Sequence, residues 1–130
     1  MTNDSKTKNK NYDLEERTAE FGENVIKFCK EVPRGPITDP LITQLVKSGT
    51  SVGANYCEAD DAESRQDFAH KIGICKKEAR ESKHWLRIIV VAVPELKQNA
   101  RVLWQEAKEL NLIFNAIINR VKKKISKEKF

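Results

Sequence analysis

The chain has little glycine, proline or aromatic content: five Gly, four Pro and nine aromatic residues in 130. Collagen-like, propeller and jelly-roll architectures, which are built on frequent turns, are excluded by that scarcity. The longest apolar run, Ile88 to Val93, is six residues and stops at Pro94, whereas a membrane span needs about twenty. After Met1, residues 2–11 are polar throughout and contain neither an apolar signal core nor an Arg-rich amphipathic leader, so a cytosolic location without membrane contact is expected. Only three cysteines occur, Cys29, Cys57 and Cys75. An odd number at wide spacing forms neither a disulfide framework nor a Cys-x-x-Cys metal clip, so buried, reduced thiols are expected.

Ala, Glu, Lys, Leu and Ile are abundant instead, a helical composition in a length suited to one domain. Charged residues are 33% of the chain and its net charge is +5. That charge is unevenly placed. Residues 1–12 carry +2 and residues 119–130 carry +5, so the body between them is −2, and the basicity belongs to the tails.

Apolar residues alternating by three and four positions share one helical face. Four such seams occur. The first is Leu14, Thr18, Phe21, Val25, Phe28 and Val32, closed by Pro33-Arg34-Gly35-Pro36. The second is Leu41, Leu45, Ser48, Val52, Tyr56 and Ala59, with Asp39 as expected N-cap and Pro40 at the first helical position. The third is Phe68, Ile72, Cys75, Ala79, Ser82, Leu86, Ile89 and Val93, opened by Ser64 and Asp67 in capping-box spacing. The fourth is Leu96, Ala100, Leu103, Ala107, Leu110, Phe114, Ile117 and Val121. Short connections force sequential helices to run antiparallel. The expected fold is therefore all-α, an up-down-up-down four-helix bundle over residues 12–125, with a disordered polar tail at 1–11 and a disordered basic tail at 126–130.

Some large apolar residues lie off these seams. Ile74, Trp85 and Ile88 share a flank of the third helix with Glu78 and Glu81, while Trp104, Leu112, Ile113 and Ile118 form an excess on the fourth and Ile26 on the first. A second apolar face of this kind predicts self-association, with Ile74, Trp85 and Ile88 at the interface; the alternative is a broader seam within one bundle. Gly49 and Gly53, four apart, would let a neighbouring helix approach closely.

Tests for chemistry find no catalytic constellation. A di-iron carboxylate bundle needs Glu-x-x-His motifs on two helices. Glu81 to His84 and Asp67 to His70 instead lie on one helix, with the two histidines roughly 21 Å apart along its axis. No Gly-x-Ser-x-Gly elbow, phosphate loop or dinucleotide fingerprint is present, and the acidic run Glu58, Asp60, Asp61, Glu63 lacks EF-hand spacing. The expectation is no enzyme, no metal and no cofactor. Two basic features remain. Lys76, Arg80, Lys83 and Arg87 recur at 4-3-4 spacing as one stripe on the third helix, and Arg120, Lys122, Lys123 and Lys124 end the fourth. Both can track phosphates; the stripe can equally be a solvated face paired with neighbouring glutamates.

The segments Gly53-Ala54-Asn55-Tyr56-Cys57-Glu58-Ala59, Ser64-Arg65-Gln66-Asp67-Phe68 and Ile74 to Leu86 resemble the bacterial four-helix-bundle family of 23S rRNA intervening-sequence proteins, a likeness extending over residues 13–122. The family pattern of a small residue, an aliphatic, Asn and then Glu is met by Ser51, Val52, Asn55 and Glu58; Ala59 stands where many members have Gly. The resemblance implies a ring-like homopentamer similar to the accessory protein of diversity-generating retroelements, which works with a reverse transcriptase and nucleic acid. Asn55, Glu58 and Glu78 are read as structural, capping helices or bonding across an interface. The expected function is an oligomeric bundle binding RNA or a nucleoprotein partner through the basic stripe and C-terminal cluster, the alternative being a protein–protein adaptor without nucleic acid.

Overall fold

A computed structural model describes residues 13–128. It contains α1 (Leu14–Glu31), α2 (Thr38–Asp60), α3 (Arg65–Ala92) and α4 (Lys97–Glu128), with a 3-10 turn at Pro94–Leu96 joining the last two. Among the described residues there is no strand, and the helices pack in sequence as an antiparallel four-helix bundle. The expected polar tail at 1–11 lies outside the described residues. Helix α4 runs through Glu128, three residues past the expected boundary at 125; Ile125 is half-buried there, and an Arg65–Glu128 ion pair ties the last turn to the start of α3.

The seams of α1 and α3 form the core almost residue for residue. All six α1 seam positions are buried, as are seven of the eight on α3, Phe68 being half-buried. Full burial of a side chain such as Phe21 or Phe114 contributes about 1.5–3 kcal/mol each. The polar seam residues are satisfied internally. Thr18 Oγ1 donates to the Leu14 carbonyl at 2.7 Å. Ser82 Oγ lies 2.9 Å from Ser48 Oγ, and Cys75 Sγ donates to the Val52 carbonyl at 3.5 Å. These two contacts fix the register of α2 against α3.

Three expectations are corrected. Asp39 is not the N-cap of α2: the helix starts at Thr38, and the Asp39 carboxylate instead accepts from the Gly35 N–H at 3.1 Å and from Arg34 Nε at 2.6 Å. At the far end of α4, Ile118 is buried and Ile117 only partly so. A strict 4-3 repeat drifts by about 20° per heptad against a straight helix, so after three heptads the next residue faces inward. Cys57 is exposed, whereas Cys29 and Cys75 are buried.

Gly49 and Gly53 do admit a close neighbour, and it is α1. A Cβ at Gly49 would stand 2.8 Å from Val25 Cγ2, and one at Gly53 would stand 3.2 Å from the Thr18 carbonyl oxygen. Helix α1 is tied to α4 by a different device. Arg17, with only 3% of its side chain exposed, donates from Nε to Glu106 at 2.7 Å and from Nη2 to Glu106 and Glu109 at 2.8 and 2.9 Å. The hydrogen bond to Glu106 dominates in raising the guanidinium pKa further above its ordinary value. Nothing in the seam pattern marks Arg17 as a core residue.

Candidate nucleic-acid interface

Helix α3 separates two surfaces on either side of its seam. At about 100° per residue, Lys76, Arg80, Lys83 and Arg87 lie to one side and Ile74, Glu78, Glu81, Trp85 and Ile88 to the other. Antiparallel packing then places the cations beside α4 and the apolar flank beside α2.

On the α4 side, the stripe meets residues that continue it. Lys76 Nζ donates to Asn115 Oδ1, and Asn111 Nδ2 to the Lys76 carbonyl, both at 2.9 Å. The Lys83 ammonium stands 4.9 Å from the centre of the Trp104 ring, and Lys108 approaches the same ring at 5.7 Å. Farther along, Arg87 faces Lys97, Arg101 and Trp104 across a groove. Lys97, Arg101 and Lys108 complete the basic surface and were not apparent from α3 alone. Their signal is in the sequence: Lys97, Arg101, Trp104 and Lys108 recur at 4-3-4 spacing, the same interval as the α3 stripe.

The glutamate pairing considered for the stripe does not occur. Among the described residues, Lys76, Arg80, Lys83 and Arg87 have no carboxylate within ion-pair distance, while Arg17, Arg34, Arg65 and Lys71 all do. The acids of α4 that could have neutralised it, Glu106 and Glu109, are turned to Arg17 on the opposite flank. The result is a cationic α3–α4 face on a body whose net charge is negative.

The C-terminal cluster is exposed but is not brought to this groove. By helical angle only Lys122 falls on the α3 side; Arg120 and Lys124 fall toward the α1 flank and Lys123 outward. Lys122 is 21 residues from Arg101, about 32 Å along the helix.

The α2–α3 face holds the motif residues. Asn55 Nδ2 donates to the Ser51 carbonyl at 2.8 Å, and Glu58 accepts from Lys71 Nζ at 2.7 Å, joining α2 to α3. The register set by Ser48–Ser82 and Glu58–Lys71 brings Asn55 level with Ile74, Ser51 with Glu78, and Leu41 with Ile88. Glu78 is half-buried, and desolvation followed by the nearby Glu81 charge raises its carboxyl pKa. Ile74, Trp85 and Ile88 are all half-buried. Trp85 and Trp104, with Ile113, pack against the margin of the core, and Trp85 Nε1 donates to Glu81 Oε2 at 3.2 Å. His84, on the exposed side, meets the Trp85 ring edge to face at 4.9 Å. Among the described residues no three His, Cys, Asp or Glu side chains cluster as metal ligands would.

No curated protein matches the sequence. Among solved structures, the chain resembles a protein with unknown function from the S23 ribosomal protein family of Bacteroides thetaiotaomicron VPI-5482. The two share 28% identity with a TM-score of 0.72, over 81% of this chain and 97% of that one. The family model for the 23S rRNA-intervening sequence protein matches residues 10–116, spanning all of α1 to α3 and most of α4, and the chain belongs to that family.

Proposed function

We propose that the protein is a non-catalytic, cytosolic, oligomeric bundle that binds RNA, free or within a nucleoprotein, through its α3–α4 face. The observation that carries this reading is the row of cations from Lys76 to Arg87, none of them within ion-pair distance of a described carboxylate, whereas Arg17, Arg34, Arg65 and Lys71 are paired. Unpaired cations along a groove are what phosphate neutralisation requires, and the family name points to RNA as the polyanion. The C-terminal cluster, lying beyond the groove, acts as a secondary contact. Fluorescence anisotropy against an RNA fragment tests the assignment. Arg80→Glu with Arg87→Glu should weaken binding by roughly a hundredfold, and truncation after Asn119 by less than tenfold. A larger loss on truncation would move the site to the tail, and no binding at low salt would leave the adaptor reading in its place.

The same reading includes self-association through the α2–α3 face, where Ile74, Trp85 and Ile88 adjoin the motif residues Asn55 and Glu78. A ring of five would repeat the basic groove five times and turn weak contacts into avidity. Light scattering on a sizing column should give about five times the 14.9 kDa chain mass. Trp85→Lys with Ile88→Glu should reduce that to a helical monomer; a wild-type monomer at micromolar concentration would end the proposal.

A further inference from the structure

Resting on the RNA-binding reading, the geometry points to a base-stacking subsite at Trp104, by which the α3–α4 groove selects single-stranded over duplex nucleic acid. The open groove where α3 ends and α4 begins has a volume of about 470 Å³, within the roughly 300–1,000 Å³ range of small-molecule clefts. Val90 and Ala100 contribute an apolar floor, Trp104 supplies a wall, and Arg87, Lys97 and Arg101 stand around it. No carboxylate lines it.

Phosphate alone would not fill this shape. A duplex presents its phosphates outward and keeps its bases stacked inside, so it would touch the rim cations and leave the apolar floor and the indole unsatisfied. An unpaired nucleotide presents both chemistries at the spacing of one residue: a flat heterocycle for the indole and floor, and phosphates on either side for the rim. Stacking on an aromatic side chain tolerates any base, because every base has a π-face.

The indole is already held as a cation-binding ring. Lys83 from α3 and Lys108 from α4 lie 4.9 and 5.7 Å from its centre, an arrangement worth little while the ammonium groups remain in water. Neither lysine lines the groove, so a base entering it leaves both ammonium groups available to a flanking phosphate. Trp85 takes no part: it lies on the opposite flank of α3 and donates to Glu81.

The chain's two tryptophans make the test direct. In a Trp85→Phe background, indole emission reports Trp104 alone. Titration with a short oligoadenylate should quench that emission, and anisotropy should show the oligoadenylate bound at least tenfold more tightly than a blunt RNA duplex with the same number of phosphates. Trp104→Leu should abolish the preference while leaving duplex affinity within about threefold, and Trp104→Phe should restore most of it. Circular dichroism identifies any variant that has lost the bundle, and Trp104→Phe keeps the comparison available if Trp104→Leu has. Equal binding of both nucleic acids without quenching, unchanged in Trp104→Leu, would overturn the stacking subsite and leave phosphate binding intact. Absence of binding to either at low salt would overturn the RNA-binding reading along with it.

Discussion

The two flanks of α4 carry charge in opposite ways. Toward α1, Glu106 and Glu109 converge on a buried arginine and make a closed network. Toward α3, Lys97, Arg101 and Lys108 join the stripe from Lys76 to Arg87 with no described carboxylate to meet them. Charge that is buried and paired stabilises the bundle only while both partners remain, because an orphaned partner loses its compensation. Charge that is exposed and unpaired does nothing for stability and is available to a ligand. The helix thus sorts its ionic side chains into one set that closes the fold and another that faces outward.

The largest effect is expected of Glu106→Lys, which sets a second cation against Arg17. Removing one partner from a buried pair costs about 3–5 kcal/mol. Glu106 keeps 23% exposure, so the lower value applies, and roughly 4 °C per kcal/mol for a domain of this size gives a fall in Tm of about 12 °C. RNA affinity of the folded variant should stay within about threefold, since position 106 is across α4 from the groove and screening acts over roughly 8–10 Å. Arg80→Glu with Arg87→Glu should show the reverse, with Tm changed by no more than a few degrees, as surface substitutions seldom exceed about 0.5 kcal/mol each.

A smaller effect separates the two core thiols from the one at the surface. Burial pushes the Cys75 thiol up to about 12 and the Cys29 thiol up to about 11. Ellman's reagent should therefore label one thiol per native chain, Cys57, and all three after unfolding. Because the folded state retains protons that the unfolded state gives up, stability is unaffected below pH 9 and falls as pH rises from 9 toward 12. Cys75→Ala should flatten that fall by on the order of 1 kcal/mol per pH unit; an unchanged slope would place Cys75 in contact with water.

The fold was legible because its core obeys a single spacing. Thr18, Ser48 and Ser82, the polar residues in the seams, are buried and satisfied within the bundle. Legibility failed where a residue's partner lies far away in sequence. Arg17 looks like a surface residue until α4 supplies Glu106, 89 positions on. The groove suffered the same limit: the stripe on α3 is visible from its own spacing, but Lys97, Arg101 and Trp104 become part of it only when α4 folds back against α3. Asp39 failed for the opposite reason: local partners won, the Gly35 N–H and Arg34 capturing a carboxylate otherwise suited to capping α2.

On the proposed reading, the unpaired cations of the α3–α4 face contact phosphate. The most direct measurement is the slope of log affinity against log salt for a single-stranded RNA, in wild type and in Arg80→Glu with Arg87→Glu. Each phosphate neutralised on a single strand contributes a slope of about −0.7, so losing two contacts should make the slope shallower by about 1.4. A double variant that binds with the wild-type slope and affinity would contradict the claim.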